Sequence, residues 1–264
     1  MERTVQMEQP GLMPFRATGL EFRFRLLIHA VIIVLGFWAP WDKWLHLDSD
    51  GPNPHVWGVL ADHLYKLAPG TISIGAAFNW LLILAAICAF VAAALRTWGS
   101  AYIGAPVVQS GAMHGAELVA AGPYRFMRNP LYAGLVIHSL ALALLMPPTG
   151  AVFCVVTLAL FQLRLIGGEE AFLSAKLGEP YRAYCSLVPR IFPALRPRVA
   201  ASATRARWGL AFLGEIYMWG VFVTFVALGY RYNAFLLMRG VLVSLGLMLI
   251  IRAMLPRTSQ ATEG

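Results

Sequence analysis

Six runs of apolar residues, 26–41, 72–95, 131–146, 151–166, 208–228 and 234–251, set the tightest limit on what this chain can fold into. A backbone in hydrocarbon must satisfy its own hydrogen bonds, so segments of this length and character are expected as transmembrane helices. The composition agrees: 59% of the 264 residues are hydrophobic and 13% are charged, which argues against a water-soluble globular protein. The expected fold is an all-α polytopic bundle of about six transmembrane helices. At a rise of 1.5 Å per residue the second and fifth runs cross a core of roughly 30 Å, whereas the third and fourth are short. Those two are expected to form a tight hairpin turned by Pro147 and Pro148.

The formal charge of +8 sorts by loop and does not cover one soluble face. With the N-terminus inside, the inner segments hold most of the arginines, from Arg16, Arg23 and Arg25 through Arg96, Arg125, Arg128, Arg164, Arg190 and Arg207 to Arg252. The outer side keeps Lys43, Lys66, Arg231 and Arg239. This asymmetry predicts both termini in the cytoplasm and accounts for the charge by topology and attraction to anionic lipids, without a nucleic-acid partner. The first run begins near Leu26 and reads as a retained first helix. Cys88, Cys154 and Cys185 have neither a disulfide pattern nor metal-ligand spacing. The outer loop with Asp42, His46, Asp48, Asp50, His55, Asp62 and His63 matches no ligand motif, so no metal is expected.

Four regions follow: a polar arm over 1–25, two helices with their outer loop over 26–95, a core over 96–195, and a helix pair with a polar tail over 196–264. The core holds the chemistry. Over 167–193, Glu169 and Glu170 directly follow an apolar run, where a helix leaves hydrocarbon. The spacing predicts a short amphipathic helix over 169–177, capped by Gly178. A second helix then starts at Pro180 and sets Tyr181 and Tyr184 on one face, until Val188-Pro189 breaks it and returns Arg190 to the membrane surface. Over 120–134, Gly122-Pro123 forces a turn, Arg125 and Arg128 lie three apart, and Asn129-Pro130 opens the third run. Free amides at that helix start and two guanidinium groups suit a carboxylate or phosphate. The competing reading of both stretches is an interfacial anchor of arginines and tyrosines. The hairpin favours a site, because it brings Glu169 and Glu170 back toward Arg125 and Arg128. Glu215, early in the fifth run with Tyr217 nearby, is either an intramembrane functional group or a carboxylate snorkelling to the interface.

Taken together, Gly122-Pro123-Tyr124-Arg125, Arg128-Asn129-Pro130, Tyr132 and Gly134, then Glu169-Glu170, Leu173, Gly178, Tyr181, Tyr184, Val188-Pro189-Arg190 and Pro193, resemble the isoprenylcysteine carboxyl methyltransferase and phospholipid methyltransferase superfamily. Order, spacing and topology agree over roughly 90–195, although many members carry His at the position of Asn129. The resemblance implies S-adenosylmethionine as cofactor, bound on the cytoplasmic side by Tyr124, Arg125, Arg128, Asn129, Pro130, Tyr132, Glu170, Tyr181 and Tyr184. It implies reaction roles for Glu169, Glu170 and Arg190, and a lipidic or apolar methyl acceptor that reaches the site sideways from the bilayer along the hairpin. The membrane is then a bacterial inner membrane or the endoplasmic reticulum. Membrane sterol and steroid reductases, which use NADPH, share the helical layout and are the alternative enzyme class; a non-catalytic scaffold of the same fold is the other alternative.

Overall fold

A computed structural model describes residues 16–38, 55–104 and 118–254. Among these the regular structure is helical: α1 Gly19–Arg23, α2 Arg25–Trp38, α3 Val56–Leu67, α4 Ile74–Ile103, α5 Pro130–Ala143, α6 Pro148–Leu177, α7 Glu179–Leu187, α8 Trp208–Gly214, α9 Ile216–Leu228 and α10 Ala234–Met254, with 3-10 turns at Gly122–Arg125 and Gly229–Arg231. Asp42, Lys43, His46, Asp48 and Asp50 of the outer loop, most of the 101–121 connector and the C-terminal tail lie outside the described residues.

Among the described residues all six apolar runs are mainly helical, but they are not equivalent. By length and composition α4, α6 and α10 can each cross a membrane, and α8 with α9 makes a fourth candidate if the bent pair is one span. The helices α2 and α5 have 14 residues each and so extend about 21 Å, short of a full hydrocarbon core. Three spans, or four with the broken one, is therefore what these helices support on length.

The sequence expectation also changes in two places. The segment 169–177 is not a separate interfacial helix: α6 runs unbroken for 30 residues. Gly167 and Gly168 weaken a helix by only about 1 kcal/mol each, too little to stop one packed on both sides. The backbone of α6 closes against the N-terminal segment there, since a Cβ on Gly168 would lie 3.0 Å from the Ala17 carbonyl oxygen. The helix stops at Gly178, where φ is +63° and ψ is −136°. The fifth run, in contrast, is not one straight helix. It bends by 67° between Gly214 and Ile216, at Glu215.

Packing follows small residues. The helix α6 lies between α2 and α5, α5 packs on α4, and α9 joins α4 to α10. Where α2 crosses α6, a Cβ on Gly150 would lie 2.0 Å from the Gly36 carbonyl oxygen, so glycine there sets the approach of the two backbones. Large apolar side chains such as Trp80, Ile87, Val152, Val156, Val226, Leu242 and Val243 stay exposed around the bundle, as a lipid-facing surface requires.

Contacts divide the bundle into two ends. At one, α3 joins the hairpin tip (Val56 N–H to Met146 O, 2.9 Å; Trp57 N–H to Leu144 O, 3.0 Å), and Tyr232 donates to Asn79 (2.8 Å). At the other, Arg207 N–H donates to Ala101 O (2.7 Å) and Arg198 N–H to Arg125 O (2.8 Å). The N-terminal segment is strapped to this second end. Thr18 and Glu21 form a reciprocal capping box on α1, and Arg164 of α6 donates twice to the Glu21 carboxylate (3.0 and 2.9 Å).

Donation from Arg164, helped by the Thr18 N–H, holds Glu21 at about 2, below its ordinary 4.5. A depressed carboxylate stabilises the folded form above its unfolded pKa and loses that contribution as pH falls toward the folded value. The strap is therefore expected to hold at pH 5 and above and to loosen between about pH 4.5 and 2. Hydrogen exchange of residues 17–24 measures it, and Glu21→Gln should give at neutral pH the exchange that the native chain shows only in acid.

Candidate functional site

The site gathers at the end of the bundle that holds the N-terminal strap, where α5 begins, α6 ends and α7 lies alongside. Pro130 sits in the first turn of α5, where its missing N–H costs nothing, and leaves Asn129 as the residue that enters the helix. Two turns before its end, α6 projects Glu169 and Glu170 toward that point. Pro180 starts α7, and Tyr181 and Tyr184, three residues apart, both turn inward and are buried. Their rings lie 5.9 Å apart at 41°, over Val188 and against Leu173 and Leu177, forming a small separate core.

Glu170 is the centre. Its Oε2 accepts from Arg190 Nε (2.9 Å) and Nη2 (2.5 Å), and its Oε1 accepts from Asn129 Nδ2 (3.2 Å). Arg128 Nε lies 3.2 Å from the same Oε1, close enough for an ion pair but not aligned for a hydrogen bond. Arg128 is further fixed by donation from Nη1 to Cys185 O (2.8 Å) and from its backbone N–H to Pro189 O (2.9 Å). Asn129 also donates to Arg190 O (3.0 Å), so one amide ties the start of α5 to both partners of the Glu170–Arg190 pair. The Glu170 carboxylate pushes the Arg190 guanidinium above its ordinary range. Glu169 accepts a 2.5 Å hydrogen bond from Tyr132, in the first turn of α5.

Tyr184 donates to Tyr124 O (2.7 Å), fixing the 3-10 turn against α7. The Tyr124 side chain is buried, and its own hydroxyl has no hydrogen-bond partner. Burial pushes the Tyr124, Tyr181 and Tyr184 hydroxyls well up, so all three stay protonated at physiological pH.

Of the residues singled out from sequence, Arg128, Asn129, Pro130, Tyr132, Glu169, Glu170, Tyr181, Tyr184 and Arg190 come together here, with Tyr124 behind them. Arg125 does not join Glu170: its Nε donates to Val199 O (3.0 Å) and it secures the 194–202 loop. Two further residues are central to the packing. Arg96, which the charge pattern places only among the inner arginines, forms a two-pronged pair with Glu215 (Nε–Oε2 2.7 Å, Nη2–Oε1 3.0 Å), and Glu215 is 3% exposed, so it does not snorkel. The signal for that pair was present, because a lone acid and a lone base in apolar runs need one another. Tyr217 instead meets His138 (3.3 Å). Among the described residues no three of His, Cys, Asp and Glu gather as a metal site; His55 packs on Phe235, and Asp62 pairs with Lys66.

The chain was then compared with known proteins. Residues 80–179 match the phospholipid methyltransferase family. The resemblance carried by the two motif stretches to the isoprenylcysteine carboxyl methyltransferase and phospholipid methyltransferase superfamily therefore holds over α4 to α6, and methyl transfer is the chemistry that this family implies. It favours a methyltransferase over the reductase class. No curated protein and no solved structure matches the chain.

Because Glu170 is met by two guanidinium groups and an amide, removing it leaves partly buried donors unpaired. Glu170→Ala is expected to destabilise the 120–193 region by about 1–3 kcal/mol, and Glu170→Gln by less. Thermal unfolding in detergent, read by near-ultraviolet circular dichroism of the surrounding tyrosines, measures the difference.

Proposed function

We propose that the protein is an integral membrane methyltransferase that uses S-adenosylmethionine and methylates a lipidic or apolar acceptor, with isoprenylcysteine carboxyl methyltransferase-like chemistry, on the cytoplasmic side of a bacterial inner membrane or the endoplasmic reticulum. The observation that carries this reading is the Glu170 cluster: both motif stretches of the superfamily converge on one carboxylate at the end of an apolar hairpin.

The donor set fits the cofactor. Arg128 and Arg190 against Glu170 leave one positive charge in excess, which suits an α-carboxylate, and the amides at the start of α5 add to it. Glu169 accepts one hydrogen bond and keeps acceptor capacity for an ammonium or ribose hydroxyl. The buried Tyr124 hydroxyl is an unused polar group at the same place, and Tyr132, Tyr181 and Tyr184 supply the aromatic wall for an adenine. Arg125 supports this wall through the Val199 loop. When bound, the cofactor supplies an activated methyl group on a sulfonium. The task left to the protein is alignment and exclusion of water. A carboxylate or thiolate acceptor needs no strong base; for an amine acceptor Glu169 is the group placed to take the proton. Arg190, the most exposed of the three charged groups in the Glu170 cluster, orients an anionic headgroup. No metal or nucleic acid enters this scheme.

An apolar groove of about 460 Å3 between α4 and the broken helix, lined by Phe90, Ala94, Trp98, Trp208, Phe212 and Trp219, offers a bed for an acceptor tail beside the face of the hairpin. Sideways access predicts that an isolated headgroup is a poor substrate.

Two measurements test the proposal. Calorimetry on purified protein should show binding of S-adenosylmethionine and of its demethylated product. Arg128→Ala and Glu170→Ala should each weaken it by about 1.5–3 kcal/mol, roughly ten- to a hundred-fold. Absence of binding by the native chain, or binding of NADPH in its place, sinks the methyltransferase reading. For topology, Cys185 and a cysteine at Ala120 should react with an impermeant thiol reagent from the cytoplasmic side of sealed vesicles, and a cysteine at Lys66 from the opposite side only.

A further inference from the structure

Outside the Glu170 cluster, the most strongly built polar arrangement joins the C-terminal helices to the start of α5. Glu215 sits at the 67° break between α8 and α9, and its carboxylate turns toward α4. It receives both prongs of Arg96 and the Ser100 hydroxyl (2.8 Å), both from α4. The remaining nitrogen of the fork, Arg96 Nη1, donates to Leu131 O (3.0 Å). The stem of Arg96 reaches that carbonyl by crossing Gly134, where a Cβ would lie 2.6 Å from Arg96 Cγ.

Leu131 is flanked by the two α5 residues that hold the glutamates. Asn129 precedes it by two positions and donates to Glu170, and Tyr132 follows it and donates to Glu169. The guanidinium of Arg96 therefore grips α5 between its two contacts to the site, and Glu215 fixes the plane of that guanidinium. A planar fork saturated on one edge by a carboxylate has one orientation left for its third donor.

We propose that Glu215 is a positioning residue for methyl transfer: through Arg96 it holds the first turn of α5, and hence Asn129 and Tyr132, in register with Glu170 and Glu169. The broken helix, which lies beyond the segment matched by the family, is thereby part of the working site and not only a wall of the bundle. The inference rests on the methyltransferase reading for its kinetic consequence, but its structural half stands apart from that reading.

The test uses the full chain in nanodiscs, with Glu215→Gln, Ser100→Ala, Arg96→Lys and Arg96→Met. Hydrogen exchange by mass spectrometry reads the coupling without activity. In Glu215→Gln the peptides covering 126–136 should exchange about ten-fold faster, as expected for loss of one charge-assisted contact, while those covering 152–165 stay unchanged. The dissociation constant and KM for S-adenosylmethionine should rise about ten-fold, more than the acceptor KM does. Arg96→Lys, which keeps the charge but not the fork, should recover part of what Arg96→Met loses. If Glu215→Gln fails to fold, Ser100→Ala, which removes one donor to Glu215 and leaves the ion pair, decides by the same peptides. Unchanged exchange over 126–136, or faster exchange spread evenly over every helix, overturns the proposal in favour of a purely structural pair. If the native chain binds no S-adenosylmethionine, the methyltransferase reading fails, and the exchange pattern still decides the coupling.

Discussion

Three meetings of a carboxylate with guanidinium groups hold the second end of the bundle together, two of them largely buried and the third, at the N-terminal strap, partly exposed. Glu170 meets Arg128 and Arg190, Glu215 meets Arg96, and Glu21 meets Arg164. Each joins segments that hydrophobic packing alone would leave free to slide, because apolar side chains in lipid gain little from choosing one neighbour over another. The Arg96–Glu215 pair spans 119 residues and the Glu21–Arg164 pair 143. A buried pair such as Arg96–Glu215 contributes more to register than to net stability, since desolvation offsets much of the attraction.

Seen this way the glycines and the charges act together. Gly134 lets the Arg96 stem lie across α5, and Gly168 lets the N-terminal strap close on α6 just before the glutamate pair. Helices brought near by small residues are then locked by polar contacts at one end, while the end holding Trp57, Asn79 and Tyr232 is held mainly by aromatic packing. The chemistry-bearing end is thus also the end with the most directional contacts.

Much of this was legible in the residues. The apolar runs mark every long helix, and Gly178, Pro180 and Val188-Pro189 mark the boundaries of α7 as found. The Arg-Asn-Pro and Glu-Glu stretches, joined by a contact that spans 41 residues in sequence, do converge. What was not legible has a common cause. Local signals describe a helix by its own neighbours, so the two glycines before Glu169 read as an interface, although tertiary contacts carry α6 through them. A single glycine, Gly214, is too weak a local signal to mark a 67° bend, and the partner of Glu215 at that bend, Arg96, is far away in sequence. Arg125 and Arg128 are alike in sequence and three apart, yet the turn at Gly122 aims one at the Val199 loop and the other at Glu170.

The distance in sequence between Arg96 and Glu215 also has a meaning in time. At translation rates of about 5–20 residues per second, the 119 residues between them take roughly 6–24 s to emerge. During that interval α4 is already made, and its guanidinium has no carboxylate from the broken helix. Its place two turns from the end of a 30-residue helix keeps that guanidinium within reach of water and lipid headgroups. The Arg96–Glu215 pair can therefore close only after the C-terminal helices are made, and a nascent chain that stalls before them carries both motif stretches without the contact that orients Arg96 toward Leu131.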